Sequence, residues 1–219
     1  LGYRFLLPGP DRETDPDAES DPVRPGVAAY AVVGVLAVLA IAGAAIEDAG
    51  SSWATVYLHD VLAAPAALAA FGYIALVGFQ FVGRLLGDRL VDRFGERTVV
   101  RCGGLLAAAG MGVALAVPSV PATICGFAAA GFGVAAVIPA AFHAADNAPG
   151  LPHGTGLTLV TWLMRTGFLA APVIVGAVAD ATSLRAGLLI VPMAGLVIAV
   201  CATVLAPRRI SPPRRATRS

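Results

Sequence analysis

The chain has 219 residues, of which 58% are hydrophobic and only 13% charged, with a mean hydropathy of +0.80 and a formal net charge of +1. A soluble domain needs about a quarter of its residues charged to hold its surface in water. The composition therefore excludes a water-surrounded globule and asks instead how many bilayer spans of about 20 residues fit.

In chain order the first feature is a polar leader. A short apolar patch, Tyr3–Leu7, runs into Pro8 and Pro10 and then into six acids, Asp11, Glu13, Asp15, Asp17, Glu19 and Asp21. Pro16, Pro22 and Pro25 block a regular helix, so residues 1–25 read as a disordered acidic linker. It has neither the basic start nor the apolar stretch of a signal peptide.

Six apolar segments follow, at about Val27–Tyr57, Pro65–Leu86, Thr98–Val117, Ala122–Ala145, Thr155–Ala179 and Ala186–Ala206. Each is long enough to cross a hydrocarbon core about 30 Å thick at about 1.5 Å per residue. Their apolarity is unbroken rather than alternating, and lipid forces each backbone N–H to pair within its own segment, which leaves helices. The domain map is a linker over 1–25, a six-helix membrane domain over 26–206 and a basic tail over 207–219.

The fifteen basic residues are all Arg and fall unevenly. Arg4, Arg12 and Arg24 precede the first span, Arg84, Arg89, Arg93, Arg97 and Arg101 surround the second connection, and Arg208, Arg209, Arg214, Arg215 and Arg218 form the tail. Arg185 alone falls on the opposite side, and Arg165 lies inside the fifth span. Positively charged connections stay inside, so both termini are expected in the cytoplasm. Directly after a membrane helix, the tail reads as an anchor on anionic lipid rather than a nucleic-acid site.

Cys102, Cys125 and Cys201 sit apart, with no paired spacing, and read as small buried hydrophobes. No catalytic group, metal site or cofactor is expected. Gly83 and Gly87 form a G-x-x-x-G pair, and Gly126, Gly131 and Gly133 mark the fourth span as a close-packing surface.

The stretch Gly83-Arg-Leu-Leu-Gly-Asp-Arg-Leu-Val-Asp-Arg-Phe-Gly-Glu-Arg97 resembles the short cytoplasmic signature of the major facilitator superfamily, between the second and third helix of each six-helix half. The matching positions are Asp92, Arg93, Gly95 and Arg97; Asp88 stands where the pattern usually opens with Gly, and Glu96 replaces a basic residue. Asp92 is expected to accept hydrogen bonds from a helix N-terminus, Arg84 and Asp88 to pair along a helix end, and Gly95 to make a tight turn. Gly167–Gly176 looks like the Gly/Pro-interrupted eleventh helix of that family. Glu47–Leu58 is similar to the seventh helix of a bacterial branch related to fucose permease. The resemblance implies an all-α fold, one C-terminal half of a twelve-helix transporter, in a bacterial inner membrane. It also implies a partner half that this chain does not supply.

Charges at membrane depth mark function by default. Arg165 lies about 15 Å into the fifth span, near the midplane. Glu47 and Asp48 lie about 30 Å along the first span, hence toward the outer face, with Trp53 and Tyr57 following as interfacial aromatics. Gln80 is the only Gln and Asn147 the only Asn, too few amides for a polyhydroxylated solute. His143 and His153 read as solvated or capping residues. Arg165, Glu47, Asp48 and Gln80 are the candidates for substrate or coupling. The expected activity is secondary transport of a small organic solute, efflux slightly favoured, with a proton or another ion as candidate coupling ion. Sugar-type uptake and a transport-inactive sensor or scaffold are the alternatives. A membrane-embedded enzyme lacks a nucleophile and base at a common depth.

Overall fold

The computed structural model describes residues 26–152 and 154–205. The acidic stretch 1–25, the tail 207–219 and His153 lie outside them. Six helices are long and apolar enough to cross a membrane: α1 Val27–Val61, α2 Ala66–Phe94, α3 Glu96–Ala116, α4 Val120–Asp146, α5 Thr155–Ala181 and α6 Leu184–Val204. No strand occurs among the described residues. The six expected spans are all present, and several are longer than hydropathy alone marks.

Prolines explain the interruptions. α4 breaks at Ala135 and Ala136 into Val120–Val134 and Val137–Asp146, because Pro139 has no N–H to offer the carbonyl one turn earlier. Pro192 stands in the same relation to the break at Leu188 and Leu189 in α6. Ser119 and Ser183 start helices by accepting hydrogen bonds from the N–H of Ala122 and Ala186, at 3.4 and 3.2 Å.

The clearest departure from expectation is the segment 87–97. It reads as a charged loop, yet α2 stays helical through Phe94 and α3 begins at Glu96. Gly95 alone makes the connection, at φ 83°, a conformation that costs glycine nothing. The charges of this stretch are helical side chains, with Arg89 and Asp92 three apart and opposite in sign on α2.

α4 organises the bundle. Its first half packs between α2 and α3, its second half against α1 and α5, while α6 packs on α3 and α1. Lipid gives helices no hydrophobic reason to associate, so backbones must approach closely. They do so where side chains are missing. A Cβ at Gly131 would overlap the Leu76 carbonyl of α2, and Gly103 and Gly133 touch backbone to backbone between α3 and α4. Of the G-x-x-x-G pair, Gly83 faces Ala135 and Phe132, but Gly87 faces open space.

α1 is the most buried helix alongside α4. It carries two π-helical stretches, Ala49–Trp53 and Tyr57–Val61. Such single-turn widenings are rare and recur at functional sites.

Candidate functional site

Glu47 and Asp48, expected toward the outer end of the first span, lie nearer the Val61 end of α1 than the Val27 end. Because α1 runs on to Val61, Glu47 stands 20 residues from Val27 and 14 from Val61, about 21 Å from the latter end. Gln80 is equidistant from both ends of α2, 14 residues from Ala66 and 14 from Phe94. Gln80 is thus midway along α2, and Glu47 lies three residues past the middle of α1. Tyr57 is fully buried and Trp53 partly so, its ring standing where a Cβ added at Gly176 of α5 would meet it at 3.7 Å. They are interior groups rather than an interfacial belt.

α1 and α2 bring three polar side chains together. Gln80 donates from Nε2 to Oε1 of Glu47, and a guanidinium nitrogen of Arg84 lies 3.6 Å from the same oxygen. Gln80 and Arg84 are one turn apart on α2, so they face α1 together. Burial is graded across the cluster: Gln80 is 8% exposed, the Glu47 side chain 28% and the Arg84 side chain 56%. The carboxylate is thus anchored from behind by the amide, and the guanidinium opens toward the surface. Such an arrangement can hold a polar solute group while keeping its own charges neutralised. Arg84 is the residue that sequence reasoning missed here. The local rule paired it with Asp88, but the structure pairs it with Glu47 instead.

Asp48 points elsewhere. It is 4% exposed; Oδ1 accepts from the Ser52 hydroxyl at 3.0 Å, and Oδ2 is buried without a partner. Trp53 Nε1 and Tyr57 OH are likewise buried and unpartnered. Buried polar atoms left unpaired cost free energy, and three of them fall between Asp48 and Tyr57, where α1 turns π-helical.

Arg165 is exposed on α5, away from the stripe of Gly156, Val160, Ala171 and Val175 that is buried. Thr158 and Thr161 share its side of the helix by helical spacing. No ion pair to Arg165 occurs among the described residues. α5 is also the least buried span.

At the Gly95 end, Arg84, Asp88, Asp92, Glu96 and His143 line a cleft of about 390 Å³ between α2, α3 and α4. Asp92 makes no hydrogen bond to a helix N-terminus among the described residues, contrary to expectation. Arg97 acts instead at the other helix terminus: its Nε donates to the Leu205 carbonyl at 2.9 Å, and a terminal nitrogen donates to that of Thr203. A cation there satisfies orphan carbonyls and the negative end of the α6 dipole. Arg93 stacks over the Phe94 ring at 5.5 Å.

Comparison with known proteins places this geometry in context. The chain is 33% identical over 75% of its length to the membrane protein MosC of Rhizobium meliloti, covering 40% of that protein. It is 32% identical over 78% of its length to an uncharacterised transporter, y4wD, of Sinorhizobium fredii, covering 45% of it. It is 32% identical over 63% of its length to an uncharacterised MFS-type transporter of Yersinia pestis, covering 36% of it. The chain thus spans less than half the length of these curated relatives. The family model described as Major Facilitator Superfamily matches residues 33–219. With six apolar membrane-length helices and this match over most of its length, the chain belongs to the Major Facilitator Superfamily of membrane transporters.

Proposed function

We propose that this chain is the C-terminal six-helix half of a secondary active transporter that moves a small organic solute by alternating access. The observation that carries the reading is the Glu47–Gln80–Arg84 cluster, between two membrane helices and open on its Arg84 side. Charged groups within membrane helices are expensive, and by default they mark a solute or ion path. In this superfamily the solute lies between two six-helix halves. The signature at Asp92, Arg93, Gly95 and Arg97, and relatives more than twice as long as the match, support assignment to one half. The resemblance of Glu47–Leu58 to the fucose permease branch belongs to the same proposal, as does a bacterial inner membrane.

The scarcity of amides favours efflux of an amphipathic solute over sugar-type uptake. A proton is the proposed coupling ion, with Asp48 as its carrier. The motive is a membrane-buried carboxylate with one unpartnered oxygen, which is far cheaper neutral than charged.

Arg165 is the proposed cationic contact on the other side of the cavity. Its fork can hold a carboxylate or phosphate bidentately, from the solute or from the other half. In the complete transporter, Arg165→Lys keeps the charge but loses the fork, so flux into proteoliposomes should fall at least about tenfold, about 1.4 kcal/mol in the transport barrier. Arg165→Ala should lose as much or more, with normal membrane insertion in both. Parental flux from both variants would remove Arg165 from the site.

Orientation follows from the arginine distribution. A reporter fused after Ser219 should read cytoplasmic, and one inserted at Pro118 should read external. The reverse pattern would overturn the proposed topology.

A further inference from the structure

An apolar groove lies outside the proposed solute site. α2 and α3 are joined by the single residue Gly95, yet they lean on α4 rather than on each other. A groove of about 300 Å³ remains between them, walled by Gly87, Leu90 and Phe94 of α2 and by Val99, Cys102 and Leu106 of α3. Its width has a simple cause. The backbone contact of Gly103 with Gly133 draws α3 down onto α4, and Gly87 contributes no side chain to fill the gap.

Two observations identify the occupant. The groove opens toward hydrocarbon: from Cys102 to Ala116, α3 has no charged side chain, and Leu105, Leu106 and Val113 stand 46%, 42% and 62% exposed. Its Gly95 end, by contrast, is cationic. The exposed Arg93 lies over the Phe94 ring that closes the groove, and no carboxylate lies within 4.0 Å of it among the described residues. The nearby acids, Asp88, Asp92 and Glu96, line the adjoining polar cleft, which meets the groove at Gly83, Gly87, Ala135 and Ala136. The acids thus lie around His143 in the adjoining cleft, and the guanidinium of Arg93 stands beside Phe94 at one end of the apolar groove.

We propose that this groove is a binding site for one anionic phospholipid, its acyl chain between α2 and α3 and its phosphate on Arg93. A guanidinium fork suits phosphate oxygens, and a basic residue beside a membrane helix favours anionic headgroups. The site does not depend on the transported solute, and the uncharged stretch Cys102–Ala116 of α3 suits an acyl chain.

The test uses the intact transporter in detergent, with phosphatidylglycerol or phosphatidylcholine added and retained lipid counted by native mass spectrometry. The parent should retain phosphatidylglycerol about fivefold over phosphatidylcholine, the ratio that about 1 kcal/mol per basic residue gives. Arg93→Gln should bring that ratio to near one. Gly87→Leu should reduce retention of both lipids while leaving the melting temperature near parental, because a Cβ at 87 meets nothing within 4 Å. Equal retention of the two lipids by the parent would overturn the proposal. So would retention that neither substitution alters, as expected if a second copy or another protein covers the groove.

Discussion

Glu47→Gln is expected to lower solute flux at least about tenfold in the complete transporter, about 1.4 kcal/mol in the barrier. One oxygen, Glu47 Oε1, serves both Gln80 and Arg84. Neutralising it leaves the Arg84 guanidinium without its counter-charge where α2 meets α1, and a charge that loses its partner there is costly. Arg84→Gln should act in the same direction by stranding the carboxylate. The double variant Glu47→Gln/Arg84→Gln strands neither, so it should insert like the parent while still failing to transport. Asp48→Asn provides the contrast, since Asp48 is not part of that cluster and bonds only Ser52. It should leave counterflow near parental but abolish accumulation driven by a pH gradient. Single variants at residue 47 or 84 that transport like the parent would remove the cluster from the solute path. Gradient-driven accumulation by Asp48→Asn would remove the proton from Asp48.

Gly131→Val should do the greatest damage to the fold. The added Cβ would overlap the Leu76 carbonyl of α2, with the carbonyl carbon at 2.8 Å and the Leu76 Cα at 3.0 Å. Neither is the far end of a flexible side chain, so the helices must separate. Overpacking of this kind costs about 1–3 kcal/mol and occasionally more, a fall of the order of 10 °C in melting temperature for a chain this long. Gly78→Ala is the control: a Cβ at 78 meets nothing within 4 Å, and the change favours the helix. A thermal melt in which Gly131→Val matches Gly78→Ala would show that close backbone contact between α2 and α4 does not hold the bundle together.

The two outcomes probe different levels of the sequence. The six spans were legible from hydropathy because hydrocarbon imposes a one-dimensional rule: a run of apolar residues long enough to cross must pair its own backbone. Gly95 was legible as a turn because its chemistry is local, and the signature around it carried the family. The extension of α2 to Phe94 was not legible. Charge density marks the edge of the hydrocarbon, not the end of a helix, and the two differ by about two turns here.

The site divides in the same way. Glu47 and Gln80 stood out singly, because polar groups in apolar runs are visible one at a time. That they meet, with Arg84 as the third member, depends on which faces of α1 and α2 touch across a separation of 33 residues. Likewise Tyr57, aromatic and late in its span, reads as interfacial, yet the structure buries it completely. The sequence by itself determined the number of helices, their apolar limits and the superfamily, all of which follow from local composition and short-range chemistry. Only the tertiary structure decided the meeting of Glu47 with Gln80, the partner of Arg84 and the burial of Asp48. Those depend on how closely backbones approach at Gly103, Gly131 and Gly133, and a glycine in a sequence does not say which carbonyl will stand against it.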